Sequence, residues 1–520
     1  MRRFVLVAAI ALLTLAACAP RPTGRVVYGL TLAPSGIDPH VNASSELGIP
    51  LTSVYDTLVY LDPATGQFVP GLAERWEVSD DGRVYTFYLR RGVTFHDGTP
   101  FNAEAVRFNL ERINSPDLSS QKARFMLGPY ERTEVVDDYT VRIVLSEPFA
   151  PLLNALSQVY LGMASPTAVE TWGSEYQMHQ VGTGPFRFVE YVPGDHLLLQ
   201  RNPDYAWGPS VYEHRTARVN EIEFRFFVDP PTRAVALETG EADVMGEIPP
   251  QDAARLATHP DFRIEAVAIP GASLMLFMNT NRPPLDDLRV RQALLYGTDR
   301  AAIVATIFRD TSPVAYGPLT AVTPGYDPAV QQFYPYDPAQ AAALLEEAGW
   351  VDSDGDGQRE RNGEPLVLDM YLMGWGYMPE IGQLVAAQWA ELGVGVNSQV
   401  VSYPDALSIG AQGSHHLMPF TLSGSDPDIL RKFFSSQATF NWSLVHDAEM
   451  DAWLEQAASI SDMEERNALY SQVQRRVMEQ ALVIPIRDYV NLNGVSNRVS
   501  GLRFSAEGWF PWLIDLSISE

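Results

Sequence analysis

The chain has 520 residues, and its 64 acidic side chains against 37 basic ones give a net charge of −27. That balance argues against nucleic acid and anionic headgroups as partners, because their phosphates would repel this surface. Hydrophobic residues at 46% and aromatic residues at 11% suffice for more than one core at this length.

Met1-Arg2-Arg3 is a basic start, and residues 4–17 form an almost unbroken apolar run. The run is too short to span a hydrocarbon core of about 30 Å as a helix but suits the h-region of a signal peptide. It ends in Leu15-Ala16-Ala17-Cys18, which resembles a bacterial lipobox. Residues 1–17 therefore read as a signal peptide, Cys18 as the lipidation site, and 18–24 as a lipidated tether. Cys18 is the only cysteine, so no disulfide framework and no cysteine nucleophile is available. Without Arg2 and Arg3, 35 basic residues face 64 acidic ones, a charge of −29. Nearly all the basic residues are arginine; Lys122 and Lys432 are the only lysines.

Further along, the pattern is mixed α/β without internal repeats. Trp76-Glu77-Val78, the Ser79-Asp80-Asp81-Gly82 turn and the alternating run 84–89 predict a hairpin. Val135-Val136, Asp137-Asp138 and 141–145 predict a second. Asn102 is placed to cap a helix through Val106, Leu110 and Ile113. Ile222, Phe224, Phe226 and Val228 alternate with Glu221, Glu223 and Arg225, which predicts a strand with one wet face. Residues 308–336, rich in Pro, Gly and Tyr, read as a long irregular loop. Asp337 and Pro338 open a helix that Gly349 ends, and Ser461 with Glu464 predicts a capping box for the helix beyond.

Several catalytic classes lack their residues. Neither lysine follows a glycine, so there is no P-loop; no His-Glu-x-x-His or Gly-x-Ser-x-Gly occurs. Carboxylate pairs of the glycosidase kind are unsupported rather than excluded.

A series of segments resembles solute-binding protein family 5, the oligopeptide-, dipeptide- and nickel-binding group. The densest is Gly71-Leu72-Ala73-Glu74-Arg75-Trp76, running through Ser79-Asp80-Asp81-Gly82 to Val93-Thr94-Phe95-His96-Asp97-Gly98. Gly182-Thr183-Gly184-Pro185-Phe186, Arg201-Asn202-Pro203-Asp204-Tyr205, Leu237-Glu238-Thr239-Gly240, Phe277-Met278-Asn279, Val290-Arg291-Gln292-Ala293-Leu294, Asp426-Pro427-Asp428 and Val483-Ile484-Pro485-Ile486 follow in the family's order. Most of these are turn, cap and core residues, and Arg291 and Asp243 are expected to be scaffold.

The resemblance implies an α/β fold of the periplasmic-binding-protein type II kind, with two lobes, hinge-crossing segments and an extra domain. Domain I would hold 25–50, 183–268 and 489–520; domain II 51–182; and domain III, the second lobe, 269–488. The implied activity is capture of a peptide-like or other small polar solute by hinge closure, outside the cytoplasm, for an ABC importer. The implied partners are the solute, the permease domains and the membrane through the lipid anchor, with the protein itself a monomer. No catalysis, cofactor or metal is implied. A secreted enzyme or a ligand-sensing receptor on the same scaffold is the alternative.

Carried over by motif position, Ser44, Ser45, Glu46 and Leu47 match an N-terminal strand that lies beside a peptide ligand. Phe420, Ser423, Gly424, Ser425 and Asp426 match the ligand-facing segment of the other lobe. Peptide binders of the family usually place an aspartate, pairing with the ligand's α-ammonium, where this chain has Ser423. A free ammonium should therefore contribute little unless another carboxylate replaces it, and Glu46 is the nearest candidate. Asp426 suits a helix cap. Trp375 and Tyr377, in a glycine-flanked loop, are further candidates for the cleft. His415-His416 is read as a strand-edge pair rather than a metal site, because neighbouring strand residues point to opposite faces. Asp352, Asp354 and Asp356 begin like a calcium loop, but position twelve is Gly363, so an acidic turn is expected.

Overall fold

Strand Arg25–Leu30, buried at all but its first residue, lies in the middle of the first sheet. The computed structural model to which it belongs describes residues 24–519 except Ser35, Asn42, Ala43, Ser45 and Gln121. Cys18 and the signal segment lie outside the described residues. Arg25–Leu30 pairs in parallel with Glu221–Phe226 on one side and Val244–Met245 on the other. Phe262–Ala268 and Val490–Ser496 extend the sheet beyond Val244–Met245; His196–Arg201 and Phe186–Val192 extend it beyond Glu221–Phe226, giving seven strands. The predicted wet face of Glu221–Phe226 is corrected in part. Glu223 is buried between Arg25 at 2.7 Å and Arg225 at 2.5 Å, so that face carries a charge ladder rather than a solvated row.

Both predicted hairpins form, and together they make one antiparallel sheet ordered Ala73–Val78, Val84–Leu89, Thr140–Leu145, Tyr130–Asp137. Residues of Val84–Leu89 alternate between half-buried and buried, as their period of two requires. Helix Ala103–Asn114 packs on this sheet, and Asn102 caps it by accepting from the Ala105 amide at 3.0 Å. Val26, Tyr28 and Phe224 of the seven-stranded sheet share one continuous apolar core with Phe87 and Val141 of the four-stranded one and Leu110 of the helix packed on it.

A second core is built on a five-stranded sheet ordered Gly395–Val401, Val367–Met373, Leu417–Phe420, Leu274–Met278, Val483–Arg487. Helix Met378–Ala390 is the crossover between the parallel pair Val367–Met373 and Gly395–Val401. Helix Pro338–Glu347 starts at Asp337 as expected, whose carboxylate accepts from the Gln340 amide. The cap before Met463–Glu479 differs: Asp462, not Ser461, accepts from the Glu464 and Glu465 amides, both at 3.0 Å. One residue closer to the helix, the carboxylate is the better acceptor for its positive end. Residues 308–336 are irregular apart from the short turn Pro328–Gln332, but they are not a free surface loop: Ser312, Thr320 and Thr323 are buried.

Two short links join the sheets. Asp488 and Tyr489 connect Val483–Arg487 to Val490–Ser496, and residues 269–273 connect Phe262–Ala268 to Leu274–Met278. The links lie side by side, with the Ile269 amide donating to the Tyr489 carbonyl at 2.9 Å. Loop 308–336 braces both. The Ala321 amide donates to Asp488 Oδ2 at 2.9 Å, and the Gly271 amide to Thr323 Oγ1 at 2.7 Å.

Candidate functional site

A partly open cleft lies between the two cores, where small-ligand sites are often found. One wall comes from the side of the seven- and four-stranded sheets, including Lys122, Phe125, Asn154, Tyr160, Glu507 and Trp509. Ser423, Gly424, Asp426, Asp428 and Lys432 supply the other from the side of the five-stranded sheet. The walls touch. Asn154 Nδ2 donates to Ser425 Oγ at 2.6 Å, and Ser425 Oγ donates onward to Glu507 Oε1. The Ala150 amide also reaches the Ala458 carbonyl at 2.8 Å. The conformation is therefore a closed one.

The segment expected to face ligand divides. Ser423 and Gly424 line the cavity, and Gly424 donates its amide to the Pro270 carbonyl in the link at 3.0 Å. Ser425 belongs to the contact between the walls. Asp426 also borders the cavity, but its carboxylate is already engaged, accepting from the Asp428 amide as a cap and pairing with Arg466 at 2.9 Å. Phe420 is corrected. Its strand is buried on both faces, and the ring packs among Tyr403, Phe433, Phe440 and Trp442 in the second core.

The N-terminal expectation is corrected as well. Glu46 and Leu47 form a turn leading into helix Gly48–Val54, not a strand, and Leu47 already has helical dihedrals and a buried side chain. Ser44 is tied to the cavity wall, its carbonyl accepting from Tyr160 OH at 2.8 Å. Ser45 lies outside the described residues. Glu46 accepts from the Thr31 amide, just past the C-terminal end of the first strand. Glu247 stands beside it, accepting from Thr31 Oγ1 at 3.0 Å and from Tyr489 OH at 2.7 Å. Burial first, and Glu247's charge second, push the Glu46 carboxyl up to about 7. Sites in open α/β sheets commonly gather at such strand ends.

Tyr377 approaches this acidic end from the second core. Burial raises its phenol, and the charges of Arg233, Arg487 and Glu247 all reach it. Trp375 is exposed, with its ring 6.2 Å from that of Phe420. Tyr489 links the acidic end to the cavity, since its ring lies 5.5 Å from Trp509.

The remaining candidates are scaffold or surface. Arg291 donates to the Leu285 and Gln480 carbonyls, and Asp243 accepts from the Val27 amide. His415 and His416 precede strand Leu417–Phe420 rather than lying on its edge, and both are buried. Each bonds a different carbonyl, Trp442 for His415 and Pro283 for His416, and burial lowers both imidazoles. Asp352, Asp354 and Asp356 gather exposed carboxylate oxygens within 4.8 Å of one another, and Asp352 accepts from the Gly355 and Gly357 amides.

Residues that sequence reasoning did not assign to the site are Lys122, Asn154, Lys432, Glu507, Trp509, Glu247 and Tyr489. The one signal available was rarity: both of the chain's lysines line this cavity.

Residues 67–443 match the family described as bacterial extracellular solute-binding proteins, family 5 Middle. Di/tripeptide-binding protein 2 of Pseudomonas aeruginosa is 29% identical over 507 residues, covering 91% of each chain. Glutathione-binding protein GsiB of Salmonella choleraesuis is 32% identical, covering 80% of this chain and 79% of its own. The structure of NikA from Brucella suis in complex with Fe(III)-EDTA superposes with a TM-score of 0.84 at 25% identity, over 95% of this chain and 100% of the other.

Proposed function

The chain belongs to the bacterial extracellular solute-binding proteins of family 5, and from that premise we propose that its cavity captures a peptide-like solute for an ABC importer by hinge closure. The observation that carries this reading is a cavity lined from two separately cored halves that only two short links connect. Such a joint lets one half rotate on the other while each core stays packed. Relatives named for di/tripeptides and for glutathione favour a short peptide or a peptide-like molecule.

In this reading 25–50, 183–268 and 489–520 form domain I and 51–182 domain II. The two move as one lobe because they share a core; 269–488 forms the other lobe. The acidic pair Glu46 and Glu247 takes the solute's ammonium, the role that Ser423 cannot fill. Gly424 offers backbone, and Trp375 and Tyr377 close over the acidic end. The protein works as a monomer, without catalysis, held to the outer face of a membrane by lipid on Cys18. No helix among the described residues is long and apolar enough to cross a membrane, and the proposed anchor needs none.

The test is calorimetric titration of protein freed of solute with di- and tripeptides, alongside mass spectrometry of whatever the purified protein releases on denaturation. Micromolar or tighter binding of a released or titrated peptide, about −8 kcal/mol, is expected. Release of an unrelated solute, with no response to any peptide, would refute the peptide assignment.

A further inference from the structure

The chain's only two lysines, far apart in sequence, meet at one place. Lys122 opens helix Lys122–Leu127 on the first lobe, and Lys432 lies in helix Arg431–Phe434 on the second. Neither ammonium makes a hydrogen bond or ion pair among the described residues. Each rests instead on an aromatic ring, Lys122 Nζ at 3.7 Å from the centre of Tyr160 and Lys432 Nζ at 4.6 Å from that of Phe125. Burial depresses both; Lys122 falls to about 7, with the charge of Lys432 as the second cause.

The neighbouring carboxylates are largely occupied. Asp426 is held by Arg466 at 2.9 Å and Asp428 by Arg431 at 2.6 Å. That leaves Glu507, whose charge acts on both lysines but whose carboxyl is taken up by Ser425. With both amines protonated, two cations face at most one carboxylate, and the closed cavity carries an excess positive charge. A buried charge without a partner is costly, so this arrangement calls for an anion. One excess charge suits a monoanion, and the compact ammonium is a point-charge donor without the planar demand of a guanidinium. Phe125, Phe149, Trp509 and Phe510 around it suit an apolar body attached to that anion.

We propose that Lys122 and Lys432 together form a carboxylate subsite, which takes the single carboxylate of an organic acid such as the C-terminus of a short peptide. Because one lysine comes from each lobe, the subsite is complete only when the lobes close, and the acid group of the solute becomes the bridge between them. This assignment rests on the solute-binding reading of the same cavity.

The test uses the mature protein freed of solute and four probes: Ala-Phe and Ala-Ala-Phe, each as the free acid and as the C-terminal amide, titrated calorimetrically at constant ionic strength. The acids should bind about tenfold or more tightly than the amides. Lys122→Met and Lys432→Met should each erase that preference, and Lys432→Arg should keep it. A solute released from the wild-type protein as purified should carry one carboxylate. The lysine subsite is overturned, with solute binding intact, by equal affinity for acid and amide or by an acid preference that persists in the doubly substituted protein. A released solute bearing a phosphate ester, or no acidic group, overturns it equally. Absence of both probe binding and released solute would instead overturn the solute-binding reading beneath it.

Discussion

Glu46 is the residue whose behaviour should be easiest to isolate. Its carboxyl is raised to about 7, so the folded protein holds that proton more tightly than the unfolded chain does. Stability from this group is fully present below the unfolded value near 4.5 and is lost as pH rises through 7. Glu46→Gln should therefore flatten the fall in unfolding free energy between pH 5 and pH 8 in unliganded protein. The difference should be at most about 3 kcal/mol. Chemical denaturation across that range measures it; parallel curves for the two proteins would show that Glu46 is already ionised. The same substitution should weaken a peptide with a free ammonium more than its N-acetylated form. At this scale the sequence was legible where chemistry is local: Asp before Pro marked Asp426 as a cap, and it is one. It was illegible where chemistry is made by closure, because nothing near Lys122 in the chain points to Lys432.

Among the elements, the link at Gly271 carries a specific conformational demand. Gly271 has φ +133°, and a Cβ there would lie 2.4 Å from the Leu422 carbonyl oxygen and 2.8 Å from the Gly424 amide nitrogen. Gly271→Ala should cost about 2 kcal/mol in strain, read by urea denaturation. It should also displace segment 422–424 and so weaken solute binding. An unchanged unfolding midpoint with unchanged affinity would mean that the link adjusts freely. The hairpins and most helix starts were legible because period and turn chemistry lie within a few residues of each other. Glu46 and Leu47 were misread as strand because motif position was used in place of local preference. Long-range packing turns that segment into the entry of a helix, with Leu47 in the core.

On the scale of the whole molecule, the contact between the lobes should set the balance of open and closed forms. Ser425 both accepts from Asn154 and donates to Glu507, so Ser425→Ala removes two bonds at once. Unliganded Ser425→Ala protein should be more open by small-angle scattering. It should bind solute about tenfold more weakly, or ~1.4 kcal/mol. An unchanged radius of gyration in both states would show that the bonds do not hold the lobes together. The wild-type protein should compact and gain thermal stability on binding, as mass action requires. Cys18→Ala should release the protein from membranes or leave it unprocessed, and mass spectrometry showing an unmodified Cys18 in wild-type protein would remove the anchor. The fold was legible because ordered motifs span most of the chain. The core shared by the seven- and four-stranded sheets was not, since it joins strands that no local pattern relates.

The placement of the two lysines also has a practical side. With every other basic side chain an arginine or a histidine, the only lysine amines that an acylating reagent can meet are the two that line the gap between the lobes. A succinimidyl ester must enter the gap between the lobes to react, and burial lowers the proton affinity of both amines there. The rate of lysine acylation thus becomes a direct clock of opening, and a bound solute should slow it at both positions together.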